Sequence, residues 1–219
     1  LYKICRVYDK DPLAAWDQHI QNLKLRSQYL NEKAYRRLHY HAPGTDLTIG
    51  LPEGHRWKSA GFSTRGGIPF TANIPTEEVF TLPDRRRVEG TVSSTRPLAY
   101  AGNVIDQFSL TFEKGRVVQF SARQGEQILS DLLRIDEGAC MLGEVALVPN
   151  SSPISRSDLL FYNTLLDENA SCHLALGAAY GFSLQGGEQM AEEEFVSRGG
   201  NISLIHEDFM IGSGELDVD

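Results

Sequence analysis

Side chains able to hold a metal ion or move a proton occur in this chain as short islands, each set beside glycine or an apolar stretch. PTEEVFT carries Glu77 and Glu78, LGEVALV carries Glu144, DENASCHLALG carries Glu168 and His173 with Tyr180 downstream, and IHEDFMIG carries His206 and Asp208. Glu144 is the most telling, because it stands alone in an apolar run from Met141 to Val148 with Gly143 before it. A lone buried carboxylate is costly unless it is paired, hydrogen-bonded or bound to a cation. In IHEDFMIG, strand geometry would aim His206 and Asp208 to one side and Glu207 to the other. Each residue taken singly has a plainer explanation: Glu144 could meet an arginine, His173 could be a core histidine, and Glu77 and Glu78 could lie in a solvated turn. Taken together, these oxygen and nitrogen donors form the set expected of a paired divalent site with zinc, cobalt, manganese or magnesium, rather than a thiolate structural zinc.

Other groups carry less. His39 and His41 in HYH could share a strand face, but no carboxylate nearby in sequence completes a site. Cys172 beside His173 reads as a packed thiol, since adjacent side chains point apart and a nucleophile needs a base within hydrogen-bond reach. Arg85, Arg86 and Arg87 read as a solvated face. GLPEGHRW and GGEQMAEEE lack the strand-to-helix context of a phosphate loop.

The elements that must position these residues are partly legible. Asp11 and Pro12 suit the start of a helix, and Leu13, Trp16, Ile20, Leu23 and Leu30 recur at helical steps, predicting a long amphipathic helix over about 12 to 37. LHYHAPGTDLTIGLPEG reads as strands and turns. Phe108, Leu110 and Phe112 alternate with polar residues before Glu113, Lys114 and Gly115, so DQFSLTF and RVVQFSA form a hairpin. Helices are expected near 124–134, 157–167 and 188–197, and strands around Glu144, after His173 and before His206. With no repeat, low-complexity segment or linker, the fold class is α+β: a mixed, largely antiparallel twisted β-sheet with flanking helices in a single domain over 1–219.

Composition bounds the partners. The chain has 219 residues, 41% apolar and 23% charged, and 29 acidic against 21 basic residues leave a net charge of −8. No long basic block is present, so nucleic acid and anionic membranes are poor partners. No apolar run reaches the roughly 18 residues of a membrane span. The odd set Cys5, Cys140 and Cys172 contains no CxxC pair and suggests reduced, buried thiols. A soluble cytoplasmic protein fits these features. The missing initiator methionine and closing tail lead us to expect a piece of something longer.

The islands NIPTEEVFT, VEGT, LGEVALV, LLFYNTLLDENASCHLALG and IHEDFMIGS, in this order, span almost the whole chain. They resemble the C-terminal half of the aminopeptidase T, S and PepS family of bacterial metallo-aminopeptidases. The resemblance implies a centre of two divalent ions with ligands at Glu78, Glu144, His173, His206 and Asp208, a matching Tyr180, and an acidic position close to the site at Glu168. It further implies peptide substrates with a free N-terminus, a homodimer formed through this half, and an absent N-terminal half. On that basis Glu144 is the expected bridging ligand, Glu77 or Glu168 the general base, and Tyr180 the donor to the developing oxyanion, with Glu77 facing the substrate. An acidic site would suit the substrate's α-ammonium group. The rival expectations are a metal-binding but catalytically incomplete dimerisation module, and a plain interaction domain without metal.

Overall fold

The computed structural model describes all 219 residues. Along the chain run α1 (Pro12–Lys33), β1 (Arg37–Ala42), β2 (Thr45–Gly50), β3 (Lys58–Ser59), β4 (Phe62–Ser63), β5 (Pro69–Phe70) and β6 (Val79–Thr81). There follow β7 (Val88–Ser93), β8 (Leu98–Tyr100), β9 (Asn103–Glu113), β10 (Arg116–Gln124) and α2 (Glu126–Leu132). The last part holds β11 (Leu142–Leu147), α3 (Pro153–Ser157), α4 (Thr164–Asp167), β12 (His173–Gly177), α5 (Glu192–Ser197), β13 (His206–Met210) and β14 (Asp217–Val218).

Local chemistry accounts for the elements. Asp11 caps α1 by accepting from Ala14 N at 3.0 Å, and Ala34, in the left-handed region at φ 48°, closes the helix by donating to Leu30 O. Lys114 and Gly115 both take positive φ in the tight turn joining β9 to β10, as the sequence pattern required. α1 buries only Leu23 and Ser27. It lies on the outside against β3 and β6. Leu13, expected on the buried face, is instead 79% exposed.

The antiparallel α+β class holds, but the expected single sheet is divided. Seven strands form one sheet in the order β10-β9-β7-β2-β1-β14, with β8 pairing β9; five form a second, β13-β12-β11-β6-β3; and β4 and β5 make a small hairpin. Every ladder is antiparallel. Within the five-stranded sheet, Val79, Val145, Leu174, Leu176 and Phe209 share one face and join the main core with Leu110, Phe108 and Phe112 of β9. The rings of Phe108 and Phe209 lie 5.5 Å apart across that core. The other face of the five-stranded sheet is left to carry polar groups. No helix is long and apolar enough to cross a membrane.

Four predicted elements differ. α1 ends at Lys33, and Arg37 already belongs to a strand. The helix expected over 157–167 is two short helices with an irregular stretch between them, where the Asp167 carboxylate accepts from Phe161 N at 2.8 Å and Asn163 N at 3.0 Å. A side chain there takes main-chain donors that a helix would have used itself. The strand expected before His206 begins at His206, and the helix near 188–197 is a 3₁₀ turn followed by α5.

Candidate metal centre

Four neighbouring strands bring the ligand types together. Glu144 and Asp208 both register against Ala175, on either side of it, and His206 registers against Gly177. His173 registers against Ala146, and Ala146 in turn against Phe80, two residues beyond Glu78. Cross-strand partners point to the same face and alternate residues share it. Glu78, Glu144, His173, His206 and Asp208 therefore converge on one side of the sheet, over a floor of Ala146, Ala175 and Gly177. Gly143 allows the closeness: a Cβ there would lie 2.3 Å from Ala178 O and 2.4 Å from Gly177 O. The register slips between Leu142 and Glu144, as a bulge would make it do.

The resulting geometry is tight. His173 Nε2 lies 3.1 Å from Glu78 Oε2, 3.7 Å from Glu144 Oε1 and 4.0 Å from Asp208 Oδ1. His206 Nε2 lies 3.6 Å from Asp208 Oδ1 and 4.0 Å from Glu144 Oε2. Two triads, Glu78–Glu144–His173 and Glu144–His206–Asp208, each hold ligand atoms within 4.8 Å of one another. Glu144 belongs to both.

Each imidazole is fixed from behind. His173 Nδ1 donates to Ser171 O at 3.1 Å and His206 Nδ1 to Ala178 O at 2.7 Å, so both Nε2 atoms face the cluster. Metal-binding histidines are oriented in this way. Glu78 Oε2 and Asp208 Oδ1 are buried and receive no well-directed hydrogen bond. Buried carboxylate oxygens without a well-directed donor, beside two imidazoles of this orientation, fit divalent cations, and an oxygen- and nitrogen-donor set without thiolate fits zinc, cobalt, manganese or magnesium.

Electrostatics agree with a site built for positive charge. Burial pushes the Glu144 carboxyl up to about 7 against the lowering hydrogen bond from His173. Burial, with Asp208 and Glu78 nearby, pushes Glu168 up to about 9. Burial alone would lower His206, but Asp208, Glu144 and the Ala178 carbonyl together raise it to about 9, and His173 is raised by Glu144 and Glu78 despite complete burial. Without cations the cluster keeps protons in their place.

A cavity of about 470 Å³ opens onto the cluster. Glu168 and Tyr180 border it, and Phe62, Phe70, Phe80 and Phe182 give it an aromatic wall. The plane of Tyr180 stacks on Phe182 with ring centroids 5.1 Å apart. Sequence reasoning did not find this wall; Phe62 and Phe70, on the β4–β5 hairpin, follow no metal-ligand pattern and are signalled only by their pairing across a turn.

Glu77 departs from expectation. Its side chain turns to the opposite side from Glu78, where Oε1 accepts from Arg6 Nη2 at 3.0 Å and Oε2 lies 3.5 Å from His19 Nε2. It does not border the cavity, where a residue facing a substrate or acting as general base is expected to stand. Strand alternation, applied to Glu77 as it was to Glu207, would have shown this. The minor candidates also resolve. His39 pairs with Asp46 at 2.8 Å. The Cys172 thiol donates to Val148 O at 3.4 Å. Arg86 and Arg87 are exposed but pair with Asp84.

Comparison with known proteins sets this geometry in a family. The model of the thermophilic metalloprotease family M29 matches residues 1–219. The chain belongs to the M29 metalloproteases. Aminopeptidase AmpS of Bacillus subtilis is 55% identical over 219 residues, which are 100% of this chain and 53% of that protein. Aminopeptidase PepS of Streptococcus thermophilus is 52% identical with the same coverage. The M29 chain thus spans about half the length of these relatives. Among solved structures, wild-type AmpT from Thermus thermophilus superimposes with a TM-score of 0.90 at 50% identity, covering 95% of this chain and 51% of that one.

Proposed function

We propose that residues 1–219 form the metal-binding domain of an aminopeptidase that releases N-terminal residues from peptides. The observation that carries this reading is Glu144, a single carboxylate shared by two ligand triads, in a chain of a metalloprotease family whose relatives are named aminopeptidases. Two divalent ions, of zinc, cobalt, manganese or magnesium, would be held by Glu78, Glu144 and His173 on one side and Glu144, His206 and Asp208 on the other. When bound, such ions lower the pKa of water and polarise a carbonyl.

The chain's own residues supply the rest. Glu168 has its carboxyl raised by burial and by neighbouring carboxylates; once those charges are neutralised, its value falls toward the range in which a carboxyl exchanges protons at neutral pH. It is the general base and passes the proton to the leaving amine. Tyr180 Oη, which stays protonated with a pKa pushed up to about 12 by burial and by Glu144, donates to the oxygen that gains charge. The acidic cluster attracts the substrate's α-ammonium group, and the aromatic wall takes its first side chain. Closing the cavity falls to the part of the relatives' length that these residues do not span. A cytoplasmic homodimer completes the reading.

The test is hydrolysis of a leucyl chromogenic amide by the full-length protein after loading with cobalt or zinc. Turnover that requires metal supports the proposal. Stoichiometric metal without turnover favours a catalytically incomplete dimerisation module, and no bound metal favours a plain interaction domain.

A further inference from the structure

Glu77 is a deeply buried carboxylate next to the candidate centre for which the proposed chemistry has no use. It is 4% exposed. Its surroundings are nonetheless built from three distant parts of the chain. Arg6 Nη2 donates to Oε1 at 3.0 Å, the Arg6 guanidinium lies 4.7 Å from the centroid of the Trp16 ring, and Trp16 Nε1 donates to Cys5 O at 2.8 Å. From α1, His19 Nε2 donates to Thr76 O at 2.7 Å beside Glu77 Oε2. From the turn after α4, the wholly buried Asn169 accepts from Glu77 N through Oδ1 at 2.7 Å.

The main chain here has little else to hold it. β6 begins at Val79, and no turn or loop hydrogen bond between main-chain groups involves residues 73–78. Successive side chains in extended backbone point in opposite directions. Fixing the Glu77 side chain on one side therefore fixes the rotation of the chain that aims Glu78 on the other.

We propose that Arg6, His19 and Asn169 are positioning residues: they brace Glu77 and its main chain, and so set where the Glu78 carboxylate stands in the metal centre. The proposal rests on the metal-centre reading above. An ion pair suits this task better than an apolar contact of the same size, because its donors and acceptor specify direction as well as contact.

The test uses the full-length protein with Co²⁺ alone as probe, comparing wild type, Glu77→Gln, Arg6→Met, Arg6→Lys and the Glu77→Gln/Arg6→Met double variant. Three quantities are read: Co²⁺ affinity by competition with a chelating dye, the visible Co²⁺ absorption spectrum, and the melting temperature of the metal-free form. Groups that orient metal ligands are worth about 10- to 100-fold in affinity. Glu77→Gln and Arg6→Met are expected to weaken Co²⁺ by that order and to alter its spectrum. The double variant should be no weaker than the worse single one, since both remove the same pair, and Arg6→Lys should recover part of the loss. Arg6 lies outside the sheets, so Arg6→Met carries the test if Glu77→Gln fails to fold. Variants that melt earlier but keep wild-type affinity and spectrum would overturn the brace, leaving the metal centre standing. Wild type that binds no Co²⁺ would overturn the metal centre and the brace with it.

Discussion

The rings of Tyr180 and His206 lie 4.6 Å apart, centroid to centroid, with their planes tilted by 40°. A tyrosine that also stacks on Phe182 is thereby fixed at the wall of the cavity beside His206, a proposed ligand, with its hydroxyl free of any structural hydrogen bond among the protein groups. Replacing Tyr180 with Phe keeps the stacking and removes only the donor. Turnover of the full-length protein should fall on the order of 10²-fold while metal content stays at the wild-type level, because the hydroxyl acts on charge that develops during reaction. Steady-state kinetics with elemental analysis checks this; unchanged kcat would remove Tyr180 from the chemistry.

Glu144→Gln tests the proposed sharing of this carboxylate between two ions. The amide nearly preserves volume but removes the negative charge common to both triads. Metal affinity should drop by more than the roughly 100-fold that a merely supporting group can account for. Far-UV circular dichroism should be unchanged. Retention of wild-type metal stoichiometry would show that Glu144 is not shared between two ions.

The protons held in the cluster predict a pH dependence. Glu144 is raised from 4.5 to about 7, Glu168 from 4.5 to about 9, and His206 from 6.5 to about 9. In each case the folded form binds more protons than the unfolded one between the two values, so stability falls as pH rises through that window. The metal-free protein should therefore melt at progressively lower temperature from pH 6.5 to about 9. Zinc should flatten this slope, and its binding should release protons. Thermal melts across that range, with and without metal, decide the matter; a metal-free protein that gains stability toward pH 9 contradicts the assignment.

Gly143→Ala should be among the more harmful small substitutions. Its new Cβ would meet two main-chain oxygens, which cannot swing aside as a side chain can. A loss of about 3 kcal/mol is expected, as for overpacking in a tight interior. Urea denaturation measures it. A loss much below 1 kcal/mol would mean that the bulge before Glu144 yields easily.

How far the sequence disclosed all this depended on the range of the determining contacts. Asp11 and Pro12 announced α1, and the alternation around Phe108 announced the β9–β10 hairpin, because each rests on neighbours in the chain. The proposed ligands were legible because Glu144, His173, His206 and Asp208 interrupt apolar strands in which a polar residue needs a reason. Their convergence depends on strand order in the second sheet, which no local pattern states. Leu159, Leu160 and Phe161 read as helix because the capture of their stretch by Asp167 is a matter of side-chain hydrogen bonding, not of apolar spacing. Glu77 is a different case: alternation turns it away from Glu78 and was legible locally, whereas its partner Arg6, 71 positions away, was not.

The order of the second sheet has one more consequence. β13 is its border strand, laddered only to β12; α4 and β8 pack against it, but outside the ladder its main chain takes one main-chain hydrogen bond, from Thr95 N to Met210 O at 2.9 Å. Such a strand is the part of a sheet most prone to fray, yet it contributes both His206 and Asp208. Ions gripped between these residues and Glu144 would act as a clasp on that border. Amide hydrogens of β13 should then exchange with solvent more slowly when metal is present, which makes the rim of the sheet a gauge of whether the centre is loaded.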